Sequence, residues 1–502
     1  MRHLIDLLNR STDEFGDGVA AVYRGDPVSF VELRDLVERC SRALRHHLGV
    51  GPGDRVALVM PNCLHSVVCY LGAIRTGATA VPVNIRLSAE EMRFILGDVG
   101  ARVIVAHERT WPTVSEAIEG VGGIDAIWGV DLQAEGVRPV DEAMAQPGPG
   151  FAPPEIAPED VAAIIYTSGT TGLPKGAMLT HANVLFNVQS TIRGHGFRPE
   201  DVHLLIVPLF HVTGLNTIMP TSLFLGSTIV ISAETNPRRL LELIERHRCT
   251  TMFTVPTTTI MLTREPGLSD LDLSSLRLIA YSGAPMPVLA IERLRELFPD
   301  TLLHNFYGLT ETTSVTTVLP SEFALSHAES IGRMVPELDA KIVSEAGERL
   351  PPGEVGELLL RGPSVFAGYY QRPEATAEAL EDGWLHTGDK ALLDADGFVF
   401  LRGRTKEMII VAGENVYPVE VENVLTRHPG VLEAAAVGIE HAVLGEVVKA
   451  VVVPQPGAEL TEREIKRWCA ERLASFKVPQ QVEFVDELPR NPSGKVVKRR
   501  LR

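Results

Sequence analysis

The chain has little of what marks a special environment. It has only five cysteines in 502 residues, Cys40, Cys63, Cys69, Cys249 and Cys469, and none forms a Cys-x-x-Cys pair. That excludes a disulfide scaffold and a zinc site of ordinary spacing. Small buried hydrophobes in a reducing compartment is the reading of all five. No stretch approaches the roughly eighteen apolar residues of a membrane span. The longest candidate, 217–231, is interrupted by Pro220, Ser222 and Gly226. A secretory leader is missing too: Met1 to Arg10 reads as a short amphipathic helix broken by Asp6. A cytoplasmic protein is the expectation. Positive charge is in deficit, with 47 Lys and Arg against 64 Asp and Glu and a net charge of −17. A nucleic-acid partner is therefore not expected. Any anionic ligand must be met by local cations or backbone dipoles. One such concentration lies at the C-terminus, in Lys495, Lys498, Arg499, Arg500 and Arg502.

What is present is ample core material, 45% hydrophobic against 22% charged, enough for two to four domains. In the first part, strand patterns at 54–60, 78–83 and 102–106 alternate with a helix at 64–75. A Pro-, Gly- and Ala-rich connection follows at 146–158. Strand patterns resume at 161–165, 204–208, 228–232, 250–255, 276–281 and 302–306, with a helix at 237–247 whose N-cap is Asn236. Strands separated by helices imply parallel-rich sheets covered on both faces. Ligands of such sheets lie beyond the carboxyl ends of strands, so the loops after Thr167, Ser282 and Tyr307 are expected to share one crevice. From about Ile331 the texture becomes β-rich, with strands at 342–343, 356–361 and 398–401. Beyond Arg402 a compact α+β unit is read, with strands at 408–411, 434–438 and 447–453 and helices at 418–427 and 461–473, the latter opened by a capping box of Thr461 and Glu464.

Residues 166–176, Tyr-Thr-Ser-Gly-Thr-Thr-Gly-Leu-Pro-Lys-Gly, hold the densest chemical signal: seven of eleven are Ser, Thr or Gly. Small residues let many N–H groups and hydroxyls approach one anion, and Lys175 adds a point charge suited to phosphate. The spacing is not that of a Walker loop. A flexible surface linker is the bland alternative, but linkers rarely follow a buried strand.

Four further stretches follow in order: Asn305-Phe306-Tyr307-Gly308-Leu309-Thr310-Glu311, Thr387-Gly388-Asp389, Arg402-Gly403-Arg404-Thr405-Lys406-Glu407, and Pro489-Arg490-Asn491-Pro492-Ser493-Gly494-Lys495. Together with the loop they resemble the ordered motifs of the adenylate-forming ligases, which include acyl- and aryl-CoA synthetases, adenylation domains and luciferases. The overall texture is most like bacterial fatty acyl-CoA synthetases. The resemblance covers nearly the whole chain. It implies an N-terminal domain over 1–402, its part from about 331 a β-rich subdomain, and a mobile C-terminal domain over 403–502 hinged near Lys406.

The resemblance also assigns roles. Thr167, Ser168, Gly169, Thr170, Thr171, Gly172 and Lys175 would follow the β- and γ-phosphates of ATP, and Thr310 the α-phosphate. Glu311 would hold Mg²⁺. Tyr307, within Asn305 to Gly308, would lie against adenine, with Gly283, Ala284 and Pro285 on the other side. Asp389 would accept from the ribose hydroxyls, with Arg404 nearby. Lys495 would contact the carboxylate and the α-phosphate during adenylation. Gly413 and Glu414 would line a tunnel for the pantetheine arm of coenzyme A. His211, Val212, Gly214, Ser282 and Gly308 would adjoin the acyl group, with His211 positioning rather than transferring protons. Each has a plainer reading: a packed histidine, a core tyrosine, a turn glycine, a solvated basic tail.

The segments around the expected acyl site, 211–214, 281–284 and 308–312, contain no Arg or Lys to pair a second carboxylate. A hydrophobic monocarboxylic acid, fatty or aryl, is therefore expected. Coenzyme A is the expected acceptor. A stand-alone ligase passing the acyl group to an amine is the alternative, and a non-catalytic sensor a remote one. Oligomeric state stays open.

Overall fold

The computed structural model describes residues 1–167, 174–284, 286–404, 407–411, 414–441, 444–491 and 495–502. Ser168, Gly169, Thr170, Thr171, Gly172, Pro285, Lys406 and Gly413 lie outside them, and Arg404 and Glu414 are placed by backbone alone.

The chain begins with the helix Leu4–Phe15, and Asp6 does not break it. Asp6 sits three residues past the N-cap His3: its N–H donates to His3 Nδ1 at 3.2 Å, and its carboxylate accepts from the His3 N–H. An acidic side chain in the first turn satisfies orphan donors and complements the helix dipole. Leu4, Ile5, Leu7 and Leu8 then bury one face. The helix Phe30–Leu48 is closed the same way by Ser29 and Glu32, and His181–His195 by Thr180 and Asn183.

Two parallel-rich sheets carry the first four-fifths of the chain. The first has seven strands in the order Val137–Pro139, Ala126–Val130, Val103–His107, Arg55–Val59, Thr79–Pro82, Val161–Thr167, Lys175–Thr180. Its inner strand Val103–His107 is buried at every position, as a strand covered on both faces must be. The last strand is antiparallel and pairs Thr167 with Lys175. Thr167 and Lys175, which flank the Ser/Thr/Gly stretch, are therefore the last pair of an antiparallel ladder. The second sheet contains the parallel set Val202–Leu205, Thr228–Ile231, Thr251–Thr254, Leu278–Tyr281 and Leu302–Tyr307. It continues without a gap through Thr317–Leu319 and Ser330–Met334 into the antiparallel strands Val399–Arg404, Trp384–Leu393, Gly356–Arg361 and Asp339–Val343. The β-rich texture read from 331 is the far end of this ladder, with its own cluster of Ile331, Ile342, Leu358, Leu360, Ala391 and Val399.

The strand read at 204–208 lies at Val202–Leu205 instead. Asn62 captures the chain as it leaves the sheet: its amide donates to the carbonyls of Leu205, Val207 and Ser232, and its Oδ1 accepts from Leu209 N at 2.7 Å. Pro208 could not have continued the ladder.

The C-terminal part has a separate core. Val431–His441 and Gly445–Pro454 form a long hairpin, joined by Ile409–Val411, Glu414–Val416 and Gln481–Phe484 and covered by the helices Pro418–Thr426 and Glu462–Ala470. Ile409, Val421, Leu425, Val448, Ala450 and Ile465 are buried together. Only half of the box at Thr461 forms: its side chain accepts from Glu464 N, while the Glu464 carboxylate turns to His428 Nε2 at 3.5 Å. The pattern is an α/β architecture with a large N-terminal domain and a small α+β C-terminal one. All five cysteines are buried and unbridged.

Candidate active site

The parallel strands of the second sheet end on one edge, and the chain turns there at Val255, Ser282 and Gly308 and heads for His211 after Leu205. Two of the three loops expected to share a crevice, those after Tyr281 and Tyr307, leave from this edge, while Thr167 ends a strand of the first sheet.

Tyr307 ends the strand Leu302–Tyr307, and its hydroxyl donates to Asp389 Oδ2 at 2.5 Å. Asp389 is buried and sits opposite Arg404 in the ladder. Two stretches eighty residues apart are thereby fixed as one unit. The strand's alternation sends Phe306 to the face opposite Asn305 and Tyr307: its ring turns into the core against Phe253 and His195. Asn305 is buried and donates to the Ser330 carbonyl at 2.9 Å. These two side chains brace the strand, whereas the Tyr307 hydroxyl reaches Asp389. Ser282 is half-buried, and Gly283, at φ 86°, and Ala284 are exposed beside Val255.

Gly308 begins a turn that folds back on itself. A Cβ there would lie 1.2 Å from the Ser314 carbonyl oxygen, so no other residue fits. Ser314 N donates to Leu309 O and Thr316 N to Tyr307 O. Thr313 and Ser314 hold φ of 55° and 95°, strain that non-glycine residues accept where the surroundings over-determine them. This turn presents Thr310 and Glu311. Glu311 is held at both ends: its carbonyl accepts from Phe366 N at 2.9 Å and its Oε1 from the Tyr369 hydroxyl at 2.8 Å.

The segment with Tyr369 is clamped onto the strand that follows the phosphate loop. Met178 N donates to Gly368 O, Ala367 N to Met178 O, and Tyr370 N to Gly176 O. The Tyr369 ring lies under the Lys175 ammonium, 5.1 Å from centroid to Nζ. Tyr369 had no place among the sequence candidates; adjacent tyrosines in a chain with 6% aromatics were the available signal.

His211 opens the acyl side. Val212 is buried, and Gly214 lets the chain pass the Pro208 and Val207 carbonyls, 2.7 Å from where a Cβ would sit. Gly214–Ile218 is a π turn leading into Met219–Leu225. Thr213 and Ser314 share a 3.1 Å hydroxyl contact, joining this segment to the Glu311 turn. Burial, with smaller contributions from the positive charges of Lys495 and Arg86, lowers the His211 imidazole to about 4. The charge of Lys495 is thus felt at His211, nearly three hundred residues away in sequence. Lys495 sits on an exposed hairpin where Asn491 and Lys495 exchange backbone and side-chain hydrogen bonds at 2.8 Å. Polar contacts join the two parts of the chain: Arg427 with Glu329, Arg264 with Gln455 at 2.6 Å, and Thr257 with Glu433, which itself accepts from Arg490 at the base of the hairpin at 2.8 Å. Arg86 was absent from the sequence candidates because no motif surrounds it.

The AMP-binding enzyme family matches residues 8–370, and the C-terminal domain of AMP-binding enzymes matches 420–495. The chain belongs to the AMP-binding enzyme family. This AMP-binding enzyme is similar to a feruloyl-CoA synthase of an Amycolatopsis species, 37% identical over 96% of this chain and 95% of that protein. It is 36% identical to a long-chain-fatty-acid–CoA ligase of Escherichia coli O6:H1, covering 99% of this chain and 94% of the other. Among solved structures, o-succinylbenzoate CoA synthetase of Bacillus subtilis, in complex with its acyl-adenylate intermediate, superposes with a TM-score of 0.87 at 30% identity, over 100% of this chain and 98% of that one. The chain is an AMP-forming acyl-CoA ligase. It activates a carboxylic acid with ATP as the acyl-adenylate, then passes the acyl group to coenzyme A. No helix among the described residues is long and apolar enough to cross a membrane.

Proposed function

We propose that the acid is a monocarboxylic one with a hydrophobic body, aryl or fatty, and that the crevice between the Glu311 turn and the Lys495 hairpin is where it meets ATP. The reading rests chiefly on the Lys495 charge felt at His211, which supports placing the C-terminal ammonium on the acid's side of the site. Adenylation forces two anions together; at about 4 Å and a surface-like dielectric, like charges repel by about 4 kcal/mol. The ammonium of Lys495 answers that repulsion, with Arg86 adding to the field, and a donor aimed at developing charge lowers such a barrier by about 3–4 kcal/mol. His211, lowered to about 4, is neutral near pH 7; it shapes the approach and neither adds charge nor protonates the leaving group.

Lys175, with the loop 168–173, would take the β- and γ-phosphates, and Thr310 the α-phosphate. Asp389, fixed by Tyr307, would accept from the ribose hydroxyls while the Tyr307 ring meets adenine. Glu311 fits magnesium: it is a hard oxygen donor, and among the described residues no group of three or more His, Cys, Asp or Glu offers a cage. Magnesium is ordinarily held by one or two carboxylates and the substrate phosphates. Bound there, it would neutralise phosphate charge as pyrophosphate departs. In the second step the C-terminal domain, beginning near 403 and pivoting near Lys406, would withdraw Lys495 and bring Gly413 and Glu414 to the pantetheine path.

The helical residues after His211 support an apolar body: Leu215, Ile218, Met219 and Leu223 are buried. The two relatives matched by sequence name one aryl and one fatty acid, so the two classes stay together, while the o-succinylbenzoate of the structural neighbour is an aryl dicarboxylic acid and makes that class the necessary control. Pyrophosphate release with hydroxycinnamic, fatty and dicarboxylic acids tests this. One of the first two classes should turn over at least a hundredfold faster than any dicarboxylic acid. Preference for a dicarboxylic acid would overturn the assignment.

A further inference from the structure

One aromatic side chain touches both opposite charges of the phosphate site. The Tyr369 hydroxyl donates to Glu311 Oε1 at 2.8 Å, and its ring lies against the Lys175 ammonium at 5.1 Å. Lys175 starts the last strand of the first sheet and Glu311 lies in the turn that follows a strand of the second, and an ammonium and a carboxylate brought to the two ends of one side chain attract each other. Left to themselves they would neutralise the site that must receive magnesium and phosphate. Tyr369 engages both, the carboxylate through its hydroxyl and the ammonium through its ring face. A cation over an aromatic face gains about 0.5–2 kcal/mol, enough to hold Lys175 in place and too little to compete with a triphosphate. A single neutral donor on one carboxylate oxygen orients Glu311 without cancelling its charge.

The placement of Tyr369 is built in. Ala177 and Tyr369 form a bridge between strands, flanked by the Met178–Gly368 and Tyr370–Gly176 hydrogen bonds. Gly368, at φ 126°, leaves no room for a Cβ, which would lie 2.6 Å from Thr376 Cγ2. The Tyr369 N–H donates to Thr376 Oγ1 at 2.9 Å, and the ring packs edge-on against buried Phe366, whose own N–H holds the Glu311 carbonyl. One short segment therefore fixes the backbone and the carboxylate of Glu311 and the far side of Lys175.

We propose that Tyr369 is a positioning residue of the ATP site: its hydroxyl aims the Glu311 carboxylate at the metal position, and its ring keeps Lys175 from pairing with that carboxylate before nucleotide arrives. The proposal rests on the reading of Glu311 as the magnesium ligand and Lys175 as a phosphate ligand.

Calorimetric titration of ATP into the full-length enzyme without acid, across free Mg²⁺ concentrations and in excess chelator, separates the two claims. Wild type should bind ATP more tightly with Mg²⁺, and Glu311→Gln should lose that gain. Tyr369→Phe keeps the ring and the fold; its Mg²⁺-dependent ATP affinity should fall about tenfold, the scale of losing a partner that orients a metal ligand, and recover at saturating Mg²⁺, with chelator-measured binding unchanged. Tyr369→Leu should weaken chelator-measured binding as well, through Lys175. Thioester formation from preformed acyl-adenylate should stay unchanged in Tyr369→Phe. If Tyr369→Phe matches wild type at every Mg²⁺ concentration while Glu311→Gln does not, the role of Tyr369 is wrong and the reading of the site stands. If Glu311→Gln keeps the full magnesium gain, the metal assignment fails and this proposal with it.

Discussion

The two halves of the site are built on opposite principles. On the N-terminal side, each group is locked by the sheet: Tyr307 holds buried Asp389, Gly308 seats the strained turn at Thr313 and Ser314, and Tyr369 holds Glu311. On the C-terminal side, Lys495 is exposed, and the part that carries it meets the rest through polar contacts such as Arg427 with Glu329 and Arg264 with Gln455. Burial of apolar area holds the first half firmly. Exposed polar pairs, worth about 0.2–1 kcal/mol each, hold the second weakly. On the proposed mechanism that difference suits a cleft used for two reactions: a fixed seat for the nucleotide and a cation that would leave.

The largest effect should come from breaking the fixed half. Gly308→Ala puts a Cβ into the Ser314 carbonyl; the turn must shift, and adenylation should fall at least a thousandfold, read by pyrophosphate exchange. Near-normal exchange would show that the turn is not needed in this form. Tyr307→Phe removes the donor to Asp389. A hydrogen bond to a charged group contributes about 1.5–3 kcal/mol, so the KM for ATP should rise tenfold or more with thioester formation from preformed adenylate spared. An unchanged KM would separate Tyr307 from the nucleotide.

Acid should attack the same half. His181, His203 and His304, all in the N-terminal part, are lowered by burial to about 4. Their folded pKa lies below the ordinary 6.5, so the unfolded chain binds protons first. Stability should be full above pH 6.5 and fall steadily towards pH 4, seen as a urea midpoint that declines before carboxylates titrate. A midpoint flat down to pH 4.5 would contradict their burial as neutral rings. The smallest effect belongs to the weakly held half. Arg427→Ala deletes one exposed pair with Glu329 and should leave stability within about 1 kcal/mol. It should slow adenylation a fewfold and leave thioester formation unchanged; equal slowing of both would mean the contact does not belong to the adenylation arrangement.

The segments that the structure joins around Tyr307 were legible in sequence because their residues come as local words. Asn305 to Glu311 is one strand and one turn, and Thr387-Gly388-Asp389 is the bend beside it. Asn236 as an N-cap could be read for the same reason: the Arg239 N–H it accepts is three residues away. Reading failed where partners are distant or where one residue type serves two ends. Asp6 looks like a breaker but starts a helix by capping. Tyr369 and Arg86 act through contacts with residues 58 or more positions away, which leave no periodicity. Phe306 sat in a nucleotide motif, yet strand alternation sends its ring to the core. A motif gives the segment; only the pleat says which of its side chains face the ligand.

The central claim is that Lys495 serves one half-reaction and is carried away for the other. Purified Lys495→Ala, assayed for acid-dependent pyrophosphate exchange and for thioester formation from synthetic acyl-adenylate, tests it most directly. The account predicts exchange lowered at least a hundredfold with the second half-reaction within threefold of wild type. Equal loss in both, or exchange at wild-type rate, would contradict it.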